Sequence, residues 1–148
     1  MEKTLKVPYI KQWPYYCGPA CLEMVLRYHG IEKTQDEIGR EISPVPYFGY
    51  TTSQLKEYAE KQGFQATLTK HSNITELIKN IDAEIPTIIL QWLNIEKKQP
   101  HFRVAIGHKE NKITVRDPEL SPEILLPESL LNYFWDINGK KIALAIQK

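Results

Sequence analysis

Cys17 sits in the run Gln12-Trp13-Pro14-Tyr15-Tyr16-Cys17-Gly18-Pro19-Ala20-Cys21-Leu22, and its neighbours bear directly on what its sulfur can do. Proline is favoured in the first turn of a helix, where its missing N–H would have had no partner anyway, so Pro19 puts Cys17 at or just before a helix N-terminus. The unpaired N–H groups and the positive end of the helix dipole at such a place stabilise a thiolate, the nucleophilic form of cysteine. Gly18 carries no side chain to obstruct an approaching backbone.

A nucleophilic thiol needs a base, and the chain has four histidines. His29 lies at a helix end, His71 in a loop, His101 at a strand start and His108 at a strand end. His101 opens the alternating segment His101-Phe102-Arg103-Val104-Ala105-Ile106, so its ring projects from the sheet face opposite Phe102, Val104 and Ile106. A three-residue hairpin turn at Lys109-Glu110-Asn111 would pair residues whose numbers sum to 220. Asp117 would then face Arg103, two residues from His101 and on the same face; a slip of one residue would turn it to the other. Under that register His108 lies beside the turn and far from Asp117, which makes it the poorer base. His29 and His71 are expected to be structural or solvated.

The elements that must hold these groups are legible in the same way. From Pro19 to His29 the apolar residues cover more than one stripe, which predicts a helix buried on most sides. Gly30 follows as its left-handed stop. Thr34 with Glu37, and Asn73 with Glu76, have capping-box spacing and open helices carrying Ile38 and Ile42, then Leu77, Ile78 and Ile81. Leu55, Tyr58 and Ala59 mark a further helix that Gly63 closes. Residues 87–92, 102–106, 113–115 and 142–146 read as strands, separated from the rest by turn-rich joints such as Ser43-Pro44-Val45-Pro46 and Leu120-Ser121-Pro122. Helices first and an antiparallel sheet afterwards imply an α+β fold.

Composition bounds the function. With 148 residues the chain is expected to be a single domain, 1–148, with 42% hydrophobic and 25% charged residues, close to soluble globular averages. Lys and Arg number 19 against 18 Asp and Glu, a net charge of +1, which is too small a field to drive nucleic-acid binding. The start MEKTLKV has no secretory apolar region and no stretch approaches the ~18 apolar residues of a membrane span, so the expected address is cytoplasmic. Cys17 and Cys21, four residues apart on one helix, are poorly placed to form a disulfide, and Cys21 reads as a packing residue. With no further metal-ligand pattern, neither metal nor cofactor is expected. Trp13, Tyr15, Tyr16 and Tyr47 suit core or rim as well as a cleft.

The segment Cys17-Gly18-Pro19-Ala20-Cys21-Leu22-Glu23-Met24-Val25-Leu26-Arg27-Tyr28-His29-Gly30 resembles the nucleophile helix of the double-glycine leader peptidases, papain-like enzymes that trim bacteriocin and pheromone precursors. The resemblance continues through Gly49-Tyr50-Thr51-Thr52-Ser53-Gln54-Leu55, Ile85-Pro86-Thr87-Ile88, His101-Phe102 and Asp117-Pro118. It implies a papain-like fold, a helical N-terminal half with the nucleophile on a buried helix and a C-terminal sheet bearing the base. It further implies Cys17 as nucleophile, His101 as base, Asp117 as the histidine's partner and Gln12 as the oxyanion glutamine. The bland alternative for Gln12 is a surface glutamine near a turn. Family members are usually joined to an exporting transporter, and neither membrane spans nor a phosphate loop are present here, so the protein is expected to act alone, dock onto a separate transporter or take another substrate. The expected activity is cysteine peptidase hydrolysis of a peptide or protein, after small residues such as Gly-Gly. A thiol acyl-transfer enzyme acting on another amide or isopeptide and a non-catalytic peptide-binding module are the alternatives.

Overall fold

In the computed structural model, which describes residues 2–42 and 49–148, a short strand β1 (Glu2–Thr4) leads into helices α1 (Cys17–Tyr28), α2 (Gln35–Glu41) and α3 (Thr52–Lys61), strand β2 (Gln65–Thr69) and helix α4 (Ile74–Asp82). Strands β3 (Thr87–Trp92), β4 (Pro100–Lys109), β5 (Lys112–Asp117) and β6 (Ser121–Pro127), helix α5 (Glu128–Trp135) and strand β7 (Ala143–Gln147) complete the order. The joint expected at Ser43-Pro44-Val45-Pro46 and the aromatic Tyr47 lie outside the described residues.

The strands form one antiparallel sheet in the order β2-β7-β3-β4-β5-β6, with β1 added to the far end of β4. The fold is α+β, with two refinements: β1 and β2 reach the sheet from the N-terminal half, and α5 interrupts the strands of the C-terminal half. Ser121 and Pro122, expected in a turn, begin strand β6. A proline is tolerated there because β6 is an edge strand and need not donate on its outer side.

Local signals explain the helix ends. Thr34 accepts from the Glu37 N–H at 3.1 Å while the Glu37 carboxylate accepts from the Thr34 N–H at 3.4 Å, a complete capping box. Thr51 and Gln54 form a second one. At Asn73 half of the expected box forms: Asn73 accepts from the Glu76 N–H, but the Glu76 carboxylate takes the Ser72 hydroxyl instead. Gly30 and Gly63, at φ +90° and +93°, end their helices in the left-handed region.

Helix α1 is the centre of the molecule. Residues 18–26 are all buried, and α1 packs on α2, α3 and β4. Glu23 lies within that run and is satisfied there, accepting from the Arg27 Nε at 2.9 Å and the Gln35 N–H at 2.6 Å. Helix α4 packs on β4, and α5 on β3 and β6. No helix among the described residues is long and apolar enough to cross a membrane.

The β4–β5 hairpin corrects the expected turn while keeping its consequence. Lys109 pairs with Lys112, so the turn has two residues, Glu110 and Asn111, both at positive φ as a type I′ turn requires. A bulge between Ala105 and Gly107 then restores the offset, giving Ala105↔Val115 and Val104↔Arg116. The short turn and the bulge cancel, and Asp117 still arrives on the face of His101 and Arg103.

Candidate active site

Cys17 is the first residue of α1, with Tyr16 as its N-cap. The first helical hydrogen bond runs from the Ala20 N–H to the Tyr16 carbonyl at 2.9 Å. Pro19 has no N–H to give, so the backbone donors left without an intrahelical partner are those of Cys17 and Gly18. The thiol is half-buried, while Cys21 one turn on is fully buried and its thiol is pushed well up by burial and by the nearby Cys17 sulfur. Both cysteines are free.

His101 and Asp117 meet across the hairpin. The imidazole Nε2 lies 2.8 Å from Asp117 Oδ1, and the Cys17 sulfur is near enough to act on the charge of the same ring; with Nε2 taken by the carboxylate, Nδ1 is the nitrogen left for sulfur. Burial works against a charge on His101, but hydrogen bonds to Asp117 and Cys17 and the negative charge of both outweigh it and raise its pKa to about 9. Burial likewise opposes the Asp117 carboxylate. The hydrogen bond and positive charge of His101, with Arg103 and the Leu120 N–H, overcome that and hold the carboxyl far below the usual range. Oδ1 also accepts from the N–H groups of Glu119 and Leu120, at 2.9 and 3.0 Å.

Arg103 is the residue that sequence reasoning placed opposite Asp117 without giving it a task. It is 3% exposed, and its Nε donates to Asp117 Oδ2 at 2.7 Å. Its Nη1 donates to Gln91 Oε1 at 2.8 Å, Nη2 donates to the Leu93 carbonyl at 3.1 Å, and Gln91 in turn donates to the Leu131 carbonyl. A charged residue between Phe102 and Val104, within a stretch that is otherwise apolar from Phe102 to Gly107, was the available signal. Asp117 is thus shared, one oxygen for the imidazole and one for the guanidinium.

Gln12 approaches this cluster through its backbone, its N–H donating to the Pro118 carbonyl at 2.8 Å. Its carboxamide is little engaged: Nε2 makes a 3.4 Å contact with the Trp13 carbonyl, and Oε1 is buried without a partner among the described residues. The other histidines lie apart. His108 pairs with Asp82 at 2.7 Å, and His29 bonds the Ile146 carbonyl beside Phe64. Among the described residues no cluster of His, Cys, Asp and Glu is arranged for a metal ion. Trp13 and Tyr15 are exposed, while Tyr16 stacks between Trp13 and Tyr50.

Gly39 on α2 carried no sequence signal, yet a Cβ there would come within 2.5 Å of the Tyr16 ring. Gly39→Ala is therefore expected to overpack the contact that seats the α1 N-cap and to lower stability by about 1–3 kcal/mol. Urea denaturation reads this directly, and an unchanged midpoint would show that Tyr16 moves aside freely.

A thiol at the N-terminus of a buried helix, beside an imidazole and a carboxylate on an antiparallel sheet, is an arrangement that suits a cysteine peptidase. Comparison with known proteins narrows the class. The model of the Peptidase C39 family matches residues 6–138, and the chain belongs to that family. It is 31% identical over 102 residues to the lactococcin-G-processing and transport ATP-binding protein LagD of Lactococcus lactis subsp. lactis, covering 69% of this chain and 14% of that protein. It is 27% identical over 120 residues to the lactococcin transport/processing ATP-binding protein LcnC-like of Lactococcus lactis subsp. lactis strain IL1403, covering 76% and 16%. The match therefore spans about a seventh of these curated relatives.

Among solved structures, a putative C39-like peptidase from Bacillus anthracis superposes with a TM-score of 0.82 at 23% identity, covering 100% of this chain and 98% of that one. The peptidase domain of Streptococcus ComA gives 0.76 at 23% identity, covering 95% and 96%. A double glycine motif protease from an AMS/PCAT transporter, in complex with the leader peptide, also gives 0.76 at 23% identity, covering 97% and 93%. These likenesses establish the fold.

Proposed function

We propose that this cysteine peptidase cleaves a peptide bond after small residues such as Gly-Gly, with Cys17 as nucleophile, His101 as base and then acid, Asp117 as the partner that orients His101, and Gln12 with the Cys17 N–H as oxyanion donors. The observation that carries this reading is the buried His101–Asp117 pair, 2.8 Å apart, with the Cys17 sulfur at the N-terminus of α1 beside the ring, in a chain of a peptidase family.

His101 Nδ1 holds the proton it has taken from Cys17, and the thiolate adds to the scissile carbonyl carbon, pushing the carbonyl electron pair onto oxygen. The Gln12 amide and the Cys17 N–H hold that oxyanion, where loss of one donor typically costs about 10²- to 10³-fold in rate. Collapse expels the amine, which leaves with the proton from His101, and a thioester remains on Cys17. His101 then takes a proton from water as the water attacks, releasing the acid and the thiol. Throughout, Asp117 Oδ1 holds Nε2 and so keeps Nδ1 directed at sulfur.

The substrate class rests on the relatives, which are named for processing and transport of lactococcins, and on the structural neighbour solved with a leader peptide. A leader-bearing peptide precursor, presented free or by a separate transporter, is the substrate we propose. The test is cleavage of synthetic peptides with a Gly-Gly junction, read by mass spectrometry, with Cys17→Ala as the blank. Cleavage after the second glycine should fall at least about 10-fold when either glycine becomes valine. Cleavage indifferent to the glycines would overturn the small-residue specificity, and transfer of the acyl group to an added amine with no hydrolysis would favour the acyl-transfer reading.

A further inference from the structure

Gln35, the first residue of α2, is only 6% exposed although it is polar and begins a surface helix. Its carboxamide is used on the backbone of the segment that carries Gln12. Oε1 accepts from the Trp13 N–H at 2.9 Å, and Nε2 donates to the Lys11 carbonyl at 2.8 Å. The two partners flank Gln12 on either side, as a neighbouring strand would. They also fix which way the amide points, since a flipped carboxamide would set donor against donor and acceptor against acceptor.

The clamp is itself anchored. The Gln35 N–H donates to Glu23 Oε1 at 2.6 Å, and Glu23 sits on α1 between Cys21 and Arg27, bonded to the latter. On its other side the segment is tied to the turn after Asp117, by the Gln12 N–H to Pro118 and by Lys11 Nζ to the Glu119 carbonyl. The backbone at Gln12 is therefore held from α2 and from the Asp117 turn, while its own carboxamide keeps only the 3.4 Å contact with Trp13. Burial alone does not call for glutamine at position 35, because methionine would fill the same volume without either bond.

We infer that Gln35 is a positioning residue for the oxyanion site: its two hydrogen bonds fix the backbone around Gln12 and so place the Gln12 carboxamide where charge develops. This rests on the oxyanion assignment of Gln12 made above. A preorganised donor loses most of its value when displaced, and misplacement by about 1 Å can cost about 10²-fold.

The test is a double-mutant cycle of Gln35→Met with Gln12→Ala, using acetyl-Gly-Gly p-nitrophenyl ester as acylating probe and iodoacetamide as a second probe that alkylates sulfur without forming an oxyanion. Gln35→Met should slow acylation about 10-fold, should add nothing in the Gln12→Ala background, and should leave the alkylation rate of Cys17 unchanged. Gln35→Leu also loses both bonds and adds no charge, so it should slow acylation about as much, and it carries the test if Gln35→Met does not fold. Equal slowing in both backgrounds, or alkylation falling in step with acylation, would overturn the clamp while leaving the oxyanion assignment standing. Gln12→Ala acylating at the wild-type rate would overturn that assignment and this inference together.

Discussion

Asp117→Ala is expected to lower the free energy of unfolding by about 3–5 kcal/mol, the usual cost of leaving one member of a buried ion pair without its counter-charge. Asp117 has no exposed surface, and Arg103, its 2.7 Å partner, is 3% exposed. The other groups around the guanidinium are neutral: Gln91, the carbonyls of Trp92 and Leu93, and the Phe134 ring 5.5 Å away. They orient the charge without cancelling it. The N–H groups of Glu119 and Leu120 lose their acceptor as well. Adding Arg103→Met should recover part of the loss, since neither ion then remains, and a shortfall in additivity measures the pair. Urea unfolding at neutral pH gives both values, and a loss under about 1 kcal/mol for the single variant would show that the pair is not what holds β4, β5 and the following turn together.

The same cluster sets a pH window with two edges of opposite sign. The Asp117 carboxyl is held far below its ordinary value, near ~3.9 in an unfolded chain, so its contribution is present above about pH 4 and is lost as pH falls through the native value. His101 runs the other way. Its native pKa of about 9 lies above the ordinary ~6.5, so its contribution is complete below about pH 6.5 and disappears as pH rises through 9. In Asp117→Ala the alkaline decline should shrink, because the carboxylate that raises the histidine is gone.

What the sequence disclosed here, and what it withheld, divides along the range of the interactions. Pro19, the Thr34–Glu37 spacing and Gly30 act within a turn or two of chain, and each produced the element it predicts. Asp117 was reachable because strand alternation is strict enough to survive a wrong turn length once a bulge restored the offset. Strand β2 and helix α5 were missed because their patterns are weak locally and their stability comes from β7, β3 and β6. Gln35 and Gly39 were not legible at all: what gives them a role is the approach of residues 11–16, far along the chain and brought near by packing alone. The groups proposed for the chemistry could thus be singled out from sequence, while the residues that fix their positions needed the fold.

His101→Ala is expected to slow peptide cleavage by at least about 10²- to 10⁴-fold, the range general acid–base catalysis supplies. Before it deprotonates the attacking water, the ring is needed for two steps of acylation in the proposed reaction: activation of sulfur, and delivery of a proton to the departing amine. With a pKa of about 9 the imidazole carries its proton through the neutral range while facing Cys17, and a cation beside a sulfur stabilises negative charge there. The wild-type rate should therefore hold through neutral pH and decline on the alkaline side near 9, where the ring can no longer donate to the amine; because thiol and ring act on each other's charge, that apparent value belongs to the pair. Iodoacetamide alkylation of Cys17 separates the two steps, since it requires an activated sulfur and no leaving amine. At pH 6 the wild-type thiol should label rapidly and His101→Ala slowly, with mass spectrometry placing the adduct on Cys17, because Cys21 is buried and its thiol pushed up. Equal labelling of both proteins together with unchanged cleavage would remove His101 from the mechanism. Slow labelling in both, without cleavage, would leave the fold with a binding role in place of a catalytic one.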